Sequence, residues 1–428
     1  MEAIAVAAQT DIEKMMNQLG QDARSASVRL AVATTQEKNT ALQQSAIALR
    51  EHSAAIKDAN AKDMAAAKDR GLAGAMLDRL ELNDSRIEAM AEGLEAIAEL
   101  EDPVGKELDR WDRPSGLDIA RVAVPLGVLG IIYESRPNVT ADAGALALKS
   151  GNAAILRGGS ESFHSSAAIM ECLQQGLRAA GLPEKSIQTI PTRDREAVGA
   201  MLRLQQYINV VIPRGGKGLT SRVQEESRIP TLLHLDGNCH SYIHANADPK
   251  KAVDIVLNAK LRRTGICGAT ETVVIDKAVV NKILPSLASA LIDAGCEVRG
   301  DSDAQEVDGR IIAATKEDWD TEYLDAIVAV KVVNNVEDAI AFINQHSSQH
   351  TEAIITEDNQ AAETFLAQVD SAIVMHNAST QFADGGEFGM GAEIGIATGR
   401  LHARGPVGAA QLTTFKYVVR GTGQVRPK

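Results

Sequence analysis

The segment GVLGIIYESRPNVTADAGALALKSGNAAILRGGSES, residues 127–162, decides the fold. It begins and ends in short apolar runs that are typical of buried strands, and the text between them has a helical pattern. Further runs of this kind follow along the chain, again separated by helical patterns. In chain order the runs are GVLGIIY, AAILRGG, INVVIPRGG, TETVVI, AIVAVKVV, EAIITED and SAIVMHN. Strands that alternate with helices at this spacing predict an α/β fold with parallel sheets.

The text on either side of these runs has a different character. Residues 11–101 are rich in Ala, Leu, Glu, Lys, Gln and Met at helical spacing, which predicts an antiparallel helical stretch broken near Gly71 and Asn83. The segment RPSGLDIARVAVPLG, residues 113–127, has a Pro-Ser-Gly turn followed by alternating apolar residues, and it predicts a hairpin arm. The segment LTTFKYVVRGTGQV, residues 412–425, indicates a second β arm.

Composition limits the possible classes of protein. The chain has 428 residues, of which 45% are apolar and 24% are charged, so we expect a globular protein of two or three domains. A net charge of −13 without any basic tract argues against a nucleic-acid partner. Residues 1–20 lack the pattern of a signal peptide, and no run of about 18 apolar residues occurs, so we expect no membrane segment. The four cysteines lack C-x-x-C spacing, which disfavours a disulfide framework and a metal site. We therefore expect the protein to be located in the reducing cytoplasm.

Two glycine-rich turns follow predicted strands and are candidates for binding phosphate. In the first, at residues 157–162, Ser160 is placed to cap a helix whose free backbone N–H groups could hold an anion. The second is at residues 214–218. A tight turn that needs glycine explains either one without a ligand. Neither matches the G-x-G-x-x-G pattern of dinucleotide sites, and Lys217 is followed by Gly218 rather than Ser or Thr, which argues against a kinase-type phosphate loop.

Cys267 is the candidate nucleophile. It lies in RTGICGATETVVI, residues 263–275, in a glycine-rich turn just before a predicted strand. A structural cysteine usually lies inside an apolar run, whereas a turn can expose the sulfur and aim backbone N–H groups at a reacting oxygen. Cys239 is the main rival, but its neighbour His240 would point to the opposite face of a strand. Cys172 and Cys296 are typical of helix-face or core residues.

Long blocks of the sequence closely resemble the γ-glutamyl phosphate reductase family, also called glutamate-5-semialdehyde dehydrogenases. This family is the proline-biosynthetic branch of the aldehyde dehydrogenase superfamily, and the resemblance covers nearly the whole chain. Besides residues 124–162, the matching blocks are VVIPRGGKGL, HLDGNCHSYI, TGICGATETVVI, DWDTEYLDAIVAVKVV and FGMGAEIGIATGRLHARGPVGAAQLTTFKY. The resemblance implies an aldehyde dehydrogenase-like fold with two parallel-sheet α/β domains and a β-arm oligomerisation element.

The resemblance also implies the catalytic groups and the cofactor. Cys267 would be the thiolate, and the Asn138 side chain would donate to the oxyanion together with the Cys267 backbone N–H. The cofactor would be NADPH or NADP, because an arginine at position 157 suits a 2′-phosphate. Its adenosine end would lie on Arg157, Gly158, Gly159, Ser160 and Glu161, its pyrophosphate on Arg214, Gly215 and Gly216, and its nicotinamide ribose on Glu322. Alternatively, Asn138 is a turn residue after a proline and Glu322 is a solvated helix charge.

One departure from the wider superfamily bears on the reaction. Hydrolytic members carry a glutamate that activates water, and here the comparable segment LHLDGN has His234 at that place. An enzyme that delivers hydride to an acyl-enzyme should lack this base, because hydrolysis would waste the acyl group. The resemblance thus implies reduction of L-glutamyl 5-phosphate to L-glutamate 5-semialdehyde. The alternatives are another acylating or hydrolytic aldehyde dehydrogenase and a non-catalytic scaffold. For the proposed substrate, Arg136, Lys149 and Arg404 are candidates for binding the phosphate group.

The family pattern implies a division of the chain and possible partners. The NADP-binding domain would comprise residues 1–110, 124–236 and 377–410, the catalytic domain residues 237–376, and the oligomerisation arm residues 111–123 and 411–428. Because exposed strand edges favour pairing with another chain, we expect a homo-oligomer, at least a dimer. A glutamate kinase is a further possible partner.

Overall fold

The structure, a computed structural model, describes residues 2–72, 74–233 and 236–426. The chain folds into two units. The first comprises Met1–Leu233, Gly389–Gly395 and Val407–Lys428, and the second comprises His234–Phe388 and Ile396–Pro406. Among the described residues, none of the helices combines the length and the apolar character that a membrane span needs. The prediction made for His234 lies outside the described residues.

The first unit begins with the helices that the composition of residues 11–101 predicts. They are α1 (Glu2–Leu30), α2 (Thr35–Glu51), α3 (Ser53–Asp69), α4 (Gly74–Leu80) and α5 (Asp84–Glu99). The break near Gly71 is confirmed, since this residue has a left-handed φ of 71° that glycine adopts without strain. The break at Asn83 is confirmed too, because its side chain caps α5 by accepting a hydrogen bond from the Arg86 backbone N–H at 3.0 Å.

A parallel sheet forms the centre of the first unit. Its strands and those of the hairpin before it are β1 (Glu107–Asp112), β2 (Asp118–Pro125), β3 (Val128–Tyr133), β4 (Ala153–Arg157), β5 (Ile187–Thr189) and β6 (Val210–Arg214). The helices between them are α6 (Val139–Lys149), α7 (Phe163–Ala179), α8 (Glu196–Met201) and α9 (Lys217–Glu226). The sheet order is β5-β4-β3-β6, with every neighbouring pair parallel. All residues of β3 and β4 are buried, which explains why their sequences are nearly continuous runs of apolar residues.

The second unit is built around a larger parallel sheet. Its strands are β7 (Cys239–Ile243), β8 (Thr270–Asp276), β9 (Glu297–Gly300), β10 (Ile312–Ala313), β11 (Ile327–Val333), β12 (Thr351–Ile355), β13 (Ile373–His376), β14 (Ile396–Ala397) and β15 (Gly405–Pro406). Its helices are α10 (Pro249–Leu261), α11 (Val280–Asp293), α12 (Ser302–Val307), α13 (Val336–His346) and α14 (Asn359–Gln368). Seven strands pair in the order β10-β9-β11-β8-β7-β12-β13, all parallel. The predicted α/β fold with two parallel sheets is confirmed.

Two apolar clusters hold helices against this seven-stranded sheet. In the first, Val256 of α10 and Leu287 of α11 belong to one buried cluster with side chains of β8 and β11, such as Val273. The other joins α13 and α14 through Ile343 and Phe365, whose ring stacks on Tyr242 of β7 with the centroids 5.9 Å apart. The central strands β7 and β8 are buried along their whole length.

The two predicted β arms pair with each other in one small antiparallel sheet. The last strand, β16 (Thr413–Arg420), pairs with β2 over its whole length, and β2 pairs with β1. The order β1-β2-β16 therefore leaves β1 and β16 as edge strands within this chain. Their predicted role in oligomerisation stays a prediction.

The unit boundaries differ from the predicted domain boundaries in one region. Residues 377–388 and 396–406 belong to the second unit, whereas we expected them in the cofactor domain. Hydrogen bonds explain the difference: Gln381 Nε2 donates to the Ala259 carbonyl oxygen at 2.9 Å, and the Thr380 and Thr270 hydroxyls lie 3.0 Å apart. The division into two units also leaves the arm strands in the first unit.

We expect Lys260→Met to destabilise the protein. Lys260 Nζ lies 2.5 Å from Glu271 Oε2, and both side chains are fully buried, so the variant leaves a buried carboxylate without its cation. Such a loss costs about 3–5 kcal/mol. Burial already raises the pKa of Glu271 to about 7 despite Lys260, so the penalty should grow as pH rises from 6 to 8.5 and the carboxyl ionises.

The free energy of unfolding, measured by urea denaturation at both pH values, tests this. The double variant Lys260→Met/Glu271→Leu should recover most of the loss, because both buried charges are gone. Lys250→Met, which breaks an exposed pair with Asp254, should change the free energy of unfolding by less than about 1 kcal/mol. Equal effects at positions 250 and 260 would contradict the prediction.

Candidate active site

Cys267 lies in the turn that leads into β8, as the sequence predicts. It is half-buried, whereas Cys172, Cys239 and Cys296 are buried, and all four thiols are free. The turn is tight: the Ala269 backbone N–H donates to the Ile266 carbonyl oxygen at 3.0 Å. Cys267 packs against a small apolar cluster but is not one of its buried members. Of the four thiols, Cys267 is therefore the one that is placed to react.

The rival thiol, Cys239, has the surroundings of a hydrogen-bond donor. It is fully buried, and its sulfur lies 3.1 Å from the Cys267 carbonyl oxygen and 3.6 Å from His350 Nδ1. Burial raises the pKa of the Cys239 thiol well above its usual range, with further contributions from Glu352 and other nearby acidic groups. Its neighbour His240 has a separate partner, since its Nδ1 lies 3.0 Å from Glu352 Oε2. Cys239 and His240 thus do not form a dyad.

Glu322 also lies in the second unit, in the segment between a short 3₁₀ turn and β11. It is half-buried and lies outside any helix, so it is not the solvated helix charge of the alternative interpretation. Asp318 anchors the segment by accepting hydrogen bonds from Arg299 Nη1 and the Tyr323 hydroxyl, each at 2.7 Å. Burial raises the pKa of Asp318, but these bonds and those from Thr315 outweigh it and hold that pKa at about 2. The ribose-binding role of Glu322 stays a prediction.

In the first unit, Asn138 stands at the start of α6. Its side-chain amide donates to Asp142 Oδ2 at 3.1 Å, and it makes no capping hydrogen bond to the helix. Burial raises the pKa of Asp142 to about 6. At neutral pH this carboxylate therefore orients the Asn138 amide from one turn further along α6.

The glycine turn after β4 differs in detail from expectation. Ser160 does not cap α7; the buried Asp63 carboxylate does, accepting hydrogen bonds from the backbone N–H groups of His164 at 3.2 Å and Ser165 at 2.7 Å. Glu161 accepts hydrogen bonds from the backbone N–H and the hydroxyl of Ser135, at 2.6 Å and 2.8 Å. The N-terminus of α7 is therefore already occupied by a carboxylate of the chain.

Arg157 is buried, with 6% of its surface exposed. Its guanidinium donates to the carbonyl oxygens of Gly158, of Arg193 at 3.1 Å and of Asp194 at 3.4 Å. The exposed cation beside this turn is Arg193, which the sequence analysis did not identify. Its guanidinium lies 4.8 Å from the Phe163 ring centroid, and its Nη2 lies 3.0 Å from His164 Nε2. The polar loop after the short strand β5 was the signal that could have pointed to it.

The second glycine turn joins β6 to the N-terminus of α9. The Gly216 backbone N–H donates to Glu134 Oε2 at 2.9 Å, so this helix end already holds an anionic oxygen. A Cβ atom on Gly215 would lie 2.4 Å from the same oxygen, so a larger residue there would displace the Glu134 side chain. The turn has the chemistry of a phosphate site.

The three predicted phosphate cations differ in their availability. Lys149 is fully buried, and its Nζ donates to Asn39 Oδ1 and the Ala98 carbonyl oxygen, each at 2.8 Å, so it is not placed to bind substrate. Arg404 lies in the second unit with its Nη1 2.8 Å from Asp370 Oδ1. Arg136 is half-buried just before Asn138.

The described residues contain no group of three His, Cys, Asp or Glu side chains that could hold a metal ion.

Comparisons with known proteins show which family the sequence matches. The family model of the aldehyde dehydrogenase family matches residues 2–318. The γ-glutamyl phosphate reductase of Rhodospirillum rubrum is 62% identical over 417 residues, which are 97% of this chain and 98% of that protein. The corresponding protein of Paramagnetospirillum magneticum is 62% identical over 98% of this chain and 99% of its own length.

Solved structures give the same result at the level of the fold. The crystal structure of γ-glutamyl phosphate reductase from Thermotoga maritima has a TM-score of 0.95 and 46% identity, covering 96% of this chain and all of that one. An acetylating aldehyde dehydrogenase from Geobacillus thermoglucosidasius has a TM-score of 0.69 at 16% identity, covering 98% of this chain and 99% of that one. The second likeness concerns the fold alone.

Proposed function

The chain belongs to the aldehyde dehydrogenase family and, within it, to the γ-glutamyl phosphate reductases, and from this we propose that it reduces L-glutamyl 5-phosphate to L-glutamate 5-semialdehyde in proline biosynthesis. The observation that carries the proposal is the identity to reductases of that name over nearly the whole chain. The alternative of a CoA-dependent enzyme has less support, because the acetylating relative shares only the fold.

In the proposed mechanism Cys267 provides the covalent step. Its thiolate attacks the γ-acyl carbon, the oxyanion is stabilised by the Asn138 amide and the Cys267 backbone N–H, and phosphate leaves to give a thioester. The nicotinamide cofactor, when bound, supplies the hydride. The resulting thiohemiacetal then collapses, releasing the semialdehyde and regenerating the Cys267 thiolate. Phosphate as the leaving group needs cationic partners, for which Arg136 and Arg404 are the remaining candidates.

We propose that the two glycine turns hold a nicotinamide dinucleotide, for which the second turn has the better-suited helix N-terminus. The N-terminus of α9, with Arg214, Gly215 and Gly216, would hold the pyrophosphate, and the anionic oxygen of Glu134 already bound there supports this. The turn of Arg157, Gly158, Gly159, Ser160 and Glu161 would hold the adenosine end, and Glu322 would hold the nicotinamide ribose. These assignments are proposals that follow the family pattern.

Turnover of Cys267→Ala tests the proposed reaction. We expect phosphate-dependent reduction of NADP by glutamate semialdehyde in the unmodified protein, and a loss on the order of 10⁴–10⁶-fold in the variant, as for removal of a covalent nucleophile. Binding of NADPH, followed by fluorescence, should be unchanged. Cys172→Ala, at a buried position of α7, is the control and should keep its activity.

Three outcomes would contradict the proposal. Turnover that depends on CoA instead of phosphate would indicate a different acylating enzyme. A folded protein without turnover would indicate a scaffold. Full activity of Cys267→Ala would assign the nucleophile to another residue.

We further propose a preference for NADPH over NADH. Arg157 would act indirectly, because its guanidinium holds the carbonyl oxygens of residues 193 and 194. The exposed guanidinium of Arg193, placed against Phe163 and His164, would then bind the 2′-phosphate.

The cofactor preference is tested with Arg193→Gln. A charge-assisted hydrogen bond contributes about 1.5–3 kcal/mol, so we expect kcat/KM for NADPH to fall about 10- to 100-fold while the value for NADH stays unchanged. Arg195→Gln, at an exposed position of the same loop, should leave both values unchanged. Equal losses with the two cofactors would show that Arg193 does not recognise the 2′-phosphate.

The arm sheet supports a homo-oligomer. On β16 the side chains of Phe415, Tyr417 and Val419 are 45%, 57% and 53% exposed and alternate along one face. The ring of Trp111 on β1 extends this face, with its centroid 6.1 Å from that of Tyr417. Exposed aromatic side chains beside two free strand edges favour pairing with a second copy of the chain.

Removing this apolar face should dissociate the oligomer. We expect Phe415→Ser/Tyr417→Ser/Val419→Ser, like truncation from Gln411 onward, to sediment as a monomer, whereas the unmodified protein sediments as a dimer or larger. Val32→Ser removes a more exposed apolar side chain outside the arm and should leave the oligomer intact. A monomeric unmodified protein would refute the proposal. A complex with a glutamate kinase stays a prediction from the sequence, and such a complex would co-sediment with the enzyme. A cytoplasmic location also stays a prediction.

A further inference from the structure

The segment Gly237–Cys239 touches the backbone of the nucleophile at two points. The Cys239 thiol donates a hydrogen bond to the Cys267 carbonyl oxygen at 3.1 Å. A Cβ atom on Gly237 would lie 2.1 Å from that same oxygen and 2.6 Å from the Cys267 Cα, so only glycine allows this approach. Gly237 and Cys239, which are two positions apart, therefore both meet the peptide group that follows Cys267.

The segment itself is firmly anchored. The Asn238 side-chain amide donates to the carbonyl oxygens of Trp319 and His346, each at 2.8 Å, and its backbone N–H donates to the Ser348 hydroxyl at 2.9 Å. Asn238 is 2% exposed, so these bonds are shielded from water. Directly after it, Cys239 enters β7, which pairs with β8. The segment is thus a fixed support for the Cys267 turn.

The Cys239 thiol is suited to donate and not to react. It is fully buried, and burial, with further contributions from Glu352, Cys267 and Glu271, raises the pKa of the Cys239 thiol well above its usual range, so the proton remains on sulfur. His350 Nδ1 lies 3.6 Å from the Cys239 sulfur. Because the peptide group is planar, holding the Cys267 carbonyl oxygen restricts rotation of the Cys267 backbone and so the direction of the Cα–Cβ bond that carries the sulfur.

We propose that Cys239, supported by Gly237, is a positioning residue that holds the Cys267 backbone in the orientation from which its sulfur attacks the acyl carbon. This inference rests on the proposed function, since it assigns Cys239 a part in the same reaction. A displacement of about 1 Å at a reacting group can cost on the order of 10²-fold in rate. Loss of the thiol should therefore lower kcat, while KM, which reflects binding, stays nearly constant.

Three variants test the proposal. Cys239→Ala removes the donor and should lower kcat about 10-fold or more with KM changed less than about twofold. Cys239→Ser keeps a donor and should restore most of kcat. Cys296→Ala removes a matched buried thiol of the same unit, which lies 3.6 Å from the Glu297 carbonyl oxygen, and should leave kcat unchanged even if the melting temperature falls.

A second measurement does not depend on turnover. The rate at which iodoacetamide alkylates Cys267, followed by peptide mass spectrometry, should change in Cys239→Ala, be close to normal in Cys239→Ser and be unchanged in Cys296→Ala. Equal kcat in Cys239→Ala and the unmodified protein, or equal losses in Cys239→Ala and Cys239→Ser, would overturn the inference. If the unmodified protein fails to reduce glutamyl phosphate, the proposed function fails, and the alkylation rates alone then decide whether Cys239 positions Cys267.

Discussion

The parallel pairing of β7 with β8 is the interaction on which the candidate nucleophile depends. In parallel strands, the residues that precede each strand lie at the same edge of the sheet. Gly237 precedes β7 and Cys267 precedes β8, so the pairing brings together two segments that are 30 positions apart. Polar contacts inside the pair support its register, as the hydroxyls of Ser241 and Thr270 lie 2.7 Å apart between the two strands. The close approach of Gly237 to Cys267 is thus a consequence of sheet topology.

Local patterns were sufficient to predict the main elements of the fold. Strands such as β4 and β8 are buried on both faces, and their continuous apolar text is visible without any knowledge of their partners. Among the strands that we did not identify, β5 has three residues and β10 has two, too few to show a period. The region 377–410 was assigned to one domain, but its hydrogen bonds divide it between the two units. Such bonds join residues more than 100 positions apart and leave no trace in the local sequence.

Burial decides which basic residues can serve a ligand, and burial is what the sequence could not predict. Lys149 and Arg157 resemble phosphate-binding residues by position, yet both are buried with their donors on oxygens of the chain. Withdrawing such a cation from its partners would leave buried carbonyl groups unsatisfied, at a cost of about 1–3 kcal/mol for each group. Arg193 lies next to Arg157 in space but is exposed, so it can bind an anion without breaking the interior. We therefore propose that Arg157 holds the loop in place and that Arg193 binds the ligand.

The two cysteines Cys239 and Cys267 also differ in burial, and their proposed roles differ accordingly. A hydrogen bond from the Cys239 thiol to the Cys267 carbonyl oxygen joins the two residues, but Cys239 is fully buried and Cys267 lies in a half-buried turn. A thiol that cannot ionise is inert toward an acyl carbon, and for the same reason it is a dependable donor. The Cys267 turn is half-buried, so a ligand can reach its thiol. The chemistry of each cysteine thus follows from its solvation, and the sequence pattern that identified Cys267 did so because glycine-rich turns are hard to bury.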